Sequence, residues 1–284
     1  MIRPAVSRIS KNVSKYRSGE WRRDGDDLSV EEPLEIRVSW DDGESRGKQP
    51  ITITMRTPGH DFELTAGFLF GEGIVSQRSD IVEIGYCREV ATEEERCNTV
   101  LATLRPGLGF NMKRQERNFN TTSACGVCGK ASLSALAITG CAPLPVEGAV
   151  SADLICRLPA LLRSAQSDFL STGGTHASGL FSPVGTLLGL QEDVGRHNAL
   201  DKLVGEQFLG GGPDGLAGNI VVLSGRASFE LLQKALMARI AVVVAIGAPS
   251  SLAVQIAETF NITLLGFARE SGFNVYAGRE RICG

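Results

Sequence analysis

The fold is decided by the stretch NIVVLSGRASFELLQKALMARIAVVVAIGAPSSLAVQIAETFNITLLGF (219–267). Its apolar runs are typical of buried strands, and the segments between them have the spacing of amphipathic helices. In chain order the predicted elements are strand 219–223, helix 228–237, strand 241–246, helix 251–260 and strand 263–267. Strands that alternate with helices through short links indicate a parallel sheet covered by helices.

The segments that precede this stretch extend the same pattern toward the N-terminus. A helix with leucines on one face follows Asp153, which is expected to cap it. Val184 to Leu190 then predicts a strand, and Gly195 to Phe208 predicts a helix. Together these elements predict a mainly parallel sheet with helices on both faces.

The first half of the chain has a different pattern. Leu34 to Trp40 and Ile51 to Met55 alternate apolar and polar residues, which predicts an antiparallel pair of half-buried strands. A helix is expected to follow with Asp61 as its cap and to end at Gly71-Glu-Gly73. The further strands predicted in this half are Ile81 to Tyr86 and Thr99 to Leu104.

The predicted fold class is α/β, in four consecutive parts. Residues 1–30 are polar and are expected to form a poorly ordered leader. Residues 31–110 are expected to form a small mixed α+β domain, and residues 111–150 a mobile loop region. Residues 151–284 form the α/β domain in this scheme.

Composition excludes several classes of protein. The 284 residues include 29 Lys and Arg and 32 Asp and Glu, a net charge of −3, which is unlike a basic nucleic-acid-coating protein or a polyacidic tail protein. No apolar run reaches the roughly 18–20 residues that span a bilayer. The N-terminus lacks the apolar region of a secretory signal. We therefore expect a cytoplasmic protein that binds neither nucleic acid nor membranes.

The strongest chemical signal is ACGVCGK (124–130), in which two residues separate Cys125 from Cys128. The flanking glycines leave the sulfur atoms sterically open, and a following helix would lower a thiol pKa through its dipole. Four interpretations are open: a structural zinc site, a redox pair, two inert thiols, and a nucleophilic or sulfur-carrying cysteine. A zinc site would need two more ligands, and the three histidines, at 60, 176 and 197, are scattered.

Four smaller clusters combine glycine with polar side chains. TGGTH (172–176) places His176 beside backbone N–H groups, although a glycine turn with a surface histidine explains this cluster better on its own. EDVGRHNALDK (192–202) is either a ligand site at a strand end or a capping box with ion pairs on an exposed helix face. In LSGRAS (223–228), Arg226 could bind a phosphate. In GFARESG (266–272), Phe267 could stack on a base, although packing at a strand end explains this cluster slightly better.

Taken together, these segments resemble the FdhD family, the sulfur-carrier accessory proteins of molybdenum-dependent formate dehydrogenases. They stand in the family's order and cover most of residues 31–276. The matching segments are RTPGHDFELTAGFLFGEGI (56–74), ACGVCGK (124–130), TGGTHASGLF (172–181), EDVGRHNALDKLVG (192–205), SGRASFELLQKA (224–235), APSSLAV (248–254) and TLLGFAR (263–269).

The resemblance implies a function in sulfur transfer. A cysteine desulfurase would supply sulfur as a persulfide, and the protein would pass it to the molybdenum cofactor with two guanine dinucleotide pterins. The sulfurated cofactor would then go to apo-formate dehydrogenase. By position, Cys125 would carry the persulfide with Cys128 as its partner, and no catalytic metal is implied. The family fold is a small N-terminal domain on a three-layer α/β/α domain like that of cytidine deaminases, assembled as a homodimer.

The resemblance also implies contacts with the cofactor. The loop from Phe267 to Gly272 corresponds to the family's contact with the guanine dinucleotide end, for which GDP would be a partial mimic. With two candidates from other loops, the predicted contacts are Phe267, Ala268, Arg269, Glu270, Ser271, Gly272, Arg226 and His176.

Two other functions are weighed against sulfur transfer. Zinc deaminases carry the motifs H-x-E and P-C-x-x-C. Here Ala-Ser follows His176 and Ala124 precedes the cysteines, so deamination is disfavoured. The alternative is a non-enzymatic chaperone that holds the cofactor, in which Cys125 and Cys128 form a zinc or redox clip.

Overall fold

The computed structural model describes residues 6–41, 43, 45–108 and 141–284. The strands in this part are β1 (Arg8–Arg17), β2 (Glu20–Ser29), β3 (Glu32–Asp41), β4 (Arg46–Arg56), β5 (Ile81–Tyr86), β6 (Thr99–Leu104), β7 (Val150–Ser151), β8 (His176–Phe181), β9 (Leu187–Asp193), β10 (Ile220–Leu223), β11 (Val242–Ala245), β12 (Thr263–Arg269), β13 (Gly272–Ala277) and β14 (Ile282–Cys283). The α-helices are α1 (Asp61–Gly71), α2 (Glu93–Cys97), α3 (Ala152–Ala165), α4 (Ser167–Thr172), α5 (Arg196–Gly210), α6 (Phe229–Met237) and α7 (Ser251–Thr259).

Six strands form the largest sheet, in the order β13-β12-β11-β10-β8-β9. The apolar runs of 219–267 become β10, β11 and β12, which pair in parallel as predicted. Their neighbours β8, β9 and β13 pair antiparallel, so the sheet is mixed rather than mainly parallel. Neither β8 nor β13 was predicted. β8 contains Ala, Ser and Gly, which favour strands weakly, and in β13 the strand formers Phe273, Val275 and Tyr276 do not alternate with polar residues.

Helices pack on both faces of this sheet, as predicted. On one face α3 contributes Leu158 and Leu162 to a core that includes Val244. On the other face α5, α6 and α7 pack against Val221 and Val243. Because β10 and β11 are buried on both faces, every side chain in them is apolar. The described part of the second half is therefore a helix–sheet–helix sandwich.

The predicted cap of α3 is wrong by two residues. The N-cap is Ser151, whose hydroxyl accepts a hydrogen bond from the Leu154 N–H at 3.2 Å, and Asp153 lies within the first turn. Ser151 also belongs to β7, which pairs in parallel with β14 near the end of the chain. The start of α3 is therefore tied to the C-terminal segment.

A four-stranded sheet in the order β4-β3-β6-β5 forms most of the first half. The predicted antiparallel pair of β3 and β4 is confirmed, as are the strands β5 and β6. Helix α1 packs on this sheet, with Leu64 against Leu34 and Ile36. The described first half is therefore mixed α+β.

Helix α1 ends at Gly71 as predicted, but its start differs from the prediction. The N-cap is His60, in a left-handed conformation and without a side-chain capping bond. Asp61 does not cap the helix. Its buried carboxylate accepts hydrogen bonds from Arg56 Nε at 2.9 Å and from the Tyr86 hydroxyl at 3.0 Å.

Residues 8–29 form a β-hairpin, where a poorly ordered leader was expected. β1 and β2 pair antiparallel over ten positions. Ser18 and Gly19 close the hairpin with φ values of 52° and 90°, as a tight two-residue turn requires. Both faces of the hairpin are largely exposed, so its sequence lacks the apolar alternation that predicts a strand. The predicted loop region 111–150 lies mostly outside the described residues.

The two sheets are joined where α1 crosses α5 at a pair of glycines. A Cβ on Gly67 would lie 1.9 Å from the carbonyl oxygen of Asp201, and one on Gly205 would lie 1.8 Å from that of Glu63. Only glycine permits backbones to approach so closely. The hydrophobic core is continuous across this crossing, since Leu69 and Leu203 belong to the same cluster.

Candidate functional site

The predicted site residues converge on one edge of the six-stranded sheet. The parallel strands β10, β11 and β12 end at this edge, the antiparallel β8 begins there and β9 ends there. The loops at 224–228, 246–250 and 267–271 therefore lie together. Ligands of open α/β sheets bind at this kind of edge.

Backbone hydrogen bonds join the first two of these loops. The Gly247 N–H donates to Gly225 O at 2.8 Å, and the Ser250 N–H donates to Ala227 O at 2.9 Å. A Cβ on Gly247 would lie 2.8 Å from backbone atoms of Gly225 and Arg226, so this position requires glycine. The loops are held in contact by their main chains, which leaves the Arg226 side chain exposed.

The segment from Phe267 to Gly272, predicted as a loop, is mostly strand: residues 267–269 end β12, Gly272 begins β13, and only Glu270 and Ser271 connect the two. Phe267 has a φ of 53° and a ring that is 45% exposed, and its N–H donates to Gly247 O at 3.1 Å. Ala268 is fully buried in the core, so its side chain cannot reach a ligand. Arg269 donates to the carbonyl oxygens of Ile246 and Ala268, both at 2.7 Å.

A cleft of about 980 Å³ opens beside this connection, on the α3 side of the sheet. Of the predicted contacts, His176, Arg269, Glu270 and Ser271 line it. Phe267, Ala268, Gly272 and Arg226 do not line it. The predicted site is therefore divided: four of its residues share one cleft, and the others lie on the adjoining loops or in the core.

The opposite wall of the cleft comes from the junction of α3 and α4, which the sequence analysis did not identify. The Arg163 guanidinium lies over the Phe169 ring, 4.1 Å from its centroid. Gln166 is only 3% exposed and lines the cleft, yet its carboxamide makes no hydrogen bond within the described ranges. Its amide atoms are not among the buried polar atoms that lack a partner, so they are open to the solvent of the cleft, where a polar ligand group could contact them.

His176 lies between the cleft and the glycine loop. A Cβ on Gly225 would lie 3.3 Å from His176 Nδ1, so the ring packs against that backbone. Burial and the nearby Arg196 charge lower the pKa of His176 below 6.5. The imidazole is therefore neutral at pH 7 and can both donate and accept a hydrogen bond.

In the segment EDVGRHNALDK, the side chains of Asp193, Asn198, Asp201 and Lys202 are buried and paired rather than exposed on a helix face. Asp193 accepts hydrogen bonds from the Thr57 N–H at 3.1 Å and Asn198 Nδ2 at 3.1 Å, and it pairs with Lys202 Nζ at 2.7 Å. Asp201 pairs with Lys234 at 2.5 Å. These contacts connect the end of β9 to α5 and to Thr57 after β4, and they connect α5 to α6, so they support the edge of the sheet that carries the site.

The predicted catalytic pair, Cys125 and Cys128, lies outside the described residues. The free cysteines of the described part are Cys87, Cys97, Cys141, Cys156 and Cys283. The described ranges contain no group of three or more His, Cys, Asp or Glu side chains that could hold a metal ion. Within the same ranges, no helix has the length and apolar character needed to cross a membrane.

Comparisons with known proteins agree on one family. The model of the FdhD/NarQ family matches residues 29–283. A "Sulfur carrier protein FdhD" of Mycolicibacterium paratuberculosis is 45% identical over 278 residues, which cover 96% of this chain and 97% of the relative. A protein of the same name from Streptomyces coelicolor is 46% identical over 277 residues, with 96% and 94% covered.

A solved structure shows the same fold. It is the crystal structure of a proposed formate dehydrogenase accessory protein from Desulfotalea psychrophila, which is 23% identical in sequence. The alignment covers 98% of this chain and 100% of that chain, with a TM-score of 0.72. At this identity the likeness concerns the fold alone.

Proposed function

The chain belongs to the FdhD/NarQ family, and from this premise we propose that it is a sulfur carrier serving formate dehydrogenase. In this proposal a cysteine desulfurase donates sulfur to Cys125, and the protein passes it to the molybdenum bis(guanine dinucleotide) cofactor before that cofactor enters apo-formate dehydrogenase. The observation that carries the proposal is the family match over residues 29–283, which includes the ACGVCGK segment.

The chemistry of the first transfer needs one thiolate. The Cys125 thiolate would attack the terminal sulfur of the donor's persulfide, forming a new S–S bond while the donor's S–S bond breaks and leaves as a thiolate. No external oxidant or reductant is consumed. Cys128, three residues further on, would be either a resolving thiol or a neighbour that takes no part. As a resolving thiol it would attack the inner sulfur of the Cys125 persulfide, sulfide would leave, and a low-molecular-weight thiol would later reduce the Cys125–Cys128 disulfide.

The cleft beside β12 supports the second half of the proposal, the binding of a guanine nucleotide. Its unpartnered Gln166 carboxamide offers one acceptor and two donors, which suits the mixed donor and acceptor edge of guanine. The stacked pair of Arg163 and Phe169 offers a flat surface for a base. The cleft volume of about 980 Å³ is enough for a nucleotide.

Incubation with a cysteine desulfurase and cysteine tests the transfer of sulfur. Mass spectrometry of the intact protein should show the addition of one sulfur atom, and this adduct should be absent in Cys125→Ala. Cys283→Ala is the matched control, because Cys283 is also an exposed free thiol. An undiminished adduct in Cys125→Ala would contradict the proposed role of Cys125.

Titration with GDP tests the cleft. Gln166→Leu removes the carboxamide and should weaken binding by about 5- to 30-fold, the effect of one or two lost hydrogen bonds. Gln255→Leu changes an exposed side chain of α7, across the sheet from the cleft, and as the control it should bind GDP like the wild type. Equal affinities for all three proteins would place the nucleotide elsewhere.

Two further measurements test the remaining parts of the proposal. We propose a homodimer, which light scattering coupled to size exclusion would detect as twice the chain mass of 30.3 kDa. Metal analysis of the purified protein separates sulfur transfer from the chaperone alternative. Stoichiometric zinc bound through Cys125 and Cys128 would favour the clip, whereas a persulfide on a zinc-free protein would favour the carrier.

A further inference from the structure

The hairpin of residues 8–29, which we call the arm, lies outside the family match. Its strands β1 and β2 pair over ten positions, and at about 3.3 Å per residue the arm is roughly 30 Å long. None of its residues is buried. The family match begins at residue 29 and therefore assigns the arm no role. A two-stranded hairpin that buries so little adds little to folding, which indicates that it serves an interaction.

The base of the arm is fixed to a wall of the cleft. Arg8 donates a hydrogen bond to the Ser171 hydroxyl at 2.6 Å, and the hydroxyls of Ser29 and Thr172 lie 2.7 Å apart. Ser171 and Thr172 belong to α4, and Phe169 of the same helix lines the cleft. Both strands of the arm are therefore attached to α4, and the arm stands beside the cleft.

The tip of the arm carries an aromatic pair and an arginine on one face. Tyr16 lies opposite Trp21, with 5.1 Å between the ring centroids, and Arg23 follows two residues later on the same side of β2. The two aromatic residues are 60% and 72% exposed. Among the described residues, the exposed Arg23 side chain has no hydrogen-bond or ion-pair partner. Tryptophan, tyrosine and arginine are the residues that contribute most to the binding energy of protein interfaces.

The opposite face of the arm has its charges paired within the arm. Lys15 pairs with Asp24 at 3.2 Å and with Asp26 at 3.1 Å, and Arg22 pairs with Glu20 at 2.8 Å. A surface that binds nucleic acid or anionic lipid keeps its basic side chains free for phosphates, whereas here carboxylates occupy them. The arm is therefore better suited to a protein partner, which would contact the aromatic face.

We propose that the face formed by Tyr16, Trp21 and Arg23 docks the protein that takes the ligand from the cleft. This inference rests on the proposed function, in which that protein is apo-formate dehydrogenase. The tip lies roughly 30 Å from α4, too far to touch a small ligand in the cleft, but a protein that approaches the cleft meets the arm beside it. Because Trp21 and Arg23 are neighbours on one face, the partner presents an apolar recess next to a carboxylate.

Biolayer interferometry with the full chain and cofactor-free formate dehydrogenase from the same organism tests the inference. Trp21→Ala should weaken binding by roughly 30-fold or more, the effect of a central tryptophan in an interface. Arg23→Ala should weaken binding by roughly 5- to 10-fold, and it covers the case in which Trp21→Ala disturbs the hairpin, because Arg23 contacts no described partner. Arg22→Ala is the matched control: it removes an exposed arginine from the opposite face and should bind like the wild type.

Other occupants of this face would give different results. A change in the mass of the particle in Trp21→Ala, measured by light scattering, would make the arm a contact between two copies of the chain. Binding of the wild type but not of Trp21→Ala to phosphatidylglycerol vesicles or to duplex DNA would assign the face to an anionic surface. Loss of the sulfur adduct in Trp21→Ala and Arg23→Ala would show that the cysteine desulfurase docks there. Each of these results would overturn the inference.

Equal affinities of Trp21→Ala, Arg23→Ala and the wild type for the cofactor-free dehydrogenase would also overturn the inference, as would a wild type that does not bind it. Either result would leave the proposed function standing if GDP still bound in the cleft and Cys125 still accepted sulfur. Failure of those two tests in the wild type, with binding to the dehydrogenase intact and lost in Trp21→Ala, would instead remove the proposed function and keep the docking surface.

Discussion

The crossing of α1 and α5 allows a sharp prediction about how the two sheets are held together. Gly205→Ala adds a single methyl group at this crossing, where it would lie 1.8 Å from the Glu63 carbonyl oxygen and 2.8 Å from the Gly67 nitrogen. Both atoms belong to the backbone of α1, so no side-chain rotation can make room.

The size of the effect follows from these distances. A methyl group and a carbonyl oxygen pack at about 3.5 Å, so the helices would have to separate by roughly 1.5 Å. That separation would loosen the shared core around Leu69 and Leu203 and would strain the 3.1 Å hydrogen bond from the Thr57 N–H to Asp193. We expect a loss of about 3 kcal/mol or more in the free energy of unfolding, or a fall in Tm of roughly 6–12 °C.

Urea and thermal unfolding followed by circular dichroism measure this loss. Gly210→Ala is the matched control: it lies at the end of the same helix, and its new methyl group would have no atom within 4 Å. It should be neutral or stabilise by up to about 1 kcal/mol through higher helix propensity. If Gly205→Ala unfolds at the same temperature as Gly210→Ala, the close backbone contact does not exist.

Three further predictions concern titratable side chains that are buried or partly buried. Lys234→Met should lower the free energy of unfolding by about 3–5 kcal/mol, because it leaves the Asp201 carboxylate buried and unpaired. Adding Asp201→Leu should recover much of this loss, and equal stability of the single and double variants would contradict the prediction. Burial and the Arg196 charge lower the pKa of His197 to about 3, so between pH 6.5 and pH 3 the unfolded chain binds a proton that the folded chain does not, and the free energy of unfolding falls as the pH drops. His197→Gln should flatten this pH dependence in urea unfolding, and an unchanged slope would refute the prediction. Asp80→Asn should lower the free energy of unfolding by about 2–4 kcal/mol, because the Asp80 carboxylate accepts hydrogen bonds from Arg105 at 2.8 Å and from the N–H groups of Ser76 and Gln77. An unfolding midpoint equal to that of the wild type would refute this role.

Much of the fold could be predicted because its strands and helices have clear periodicities. The apolar runs of 219–267 became adjacent parallel strands, and β3 and β4 were recognisable from their alternation. Where the pattern was weak, the prediction failed. The hairpin of residues 8–29 is largely polar on both faces, β8 contains small residues, and β13 lacks regular alternation, so no periodicity of two predicts these strands.

The candidate site shows the same division. Arg269, Glu270, Ser271 and His176 could be selected from the sequence, since they follow or begin strands next to glycine. Gln166 could not. A glutamine at a helix junction is ordinary in sequence, and only the folded chain places it in the wall of the cleft.

The sequence by itself determined the alternation of strands and helices in the second half, the pair of cysteines and the family. These depend on residue type and local spacing, which a linear sequence contains. Only the tertiary structure decided that the sheet is mixed, that Gly67 and Gly205 join the two sheets, and that Asp193 and Asp201 are buried and paired with lysines. These features depend on which residues meet across more than a hundred positions of chain, because burial and hydrogen-bond partners are set by contacts between distant segments.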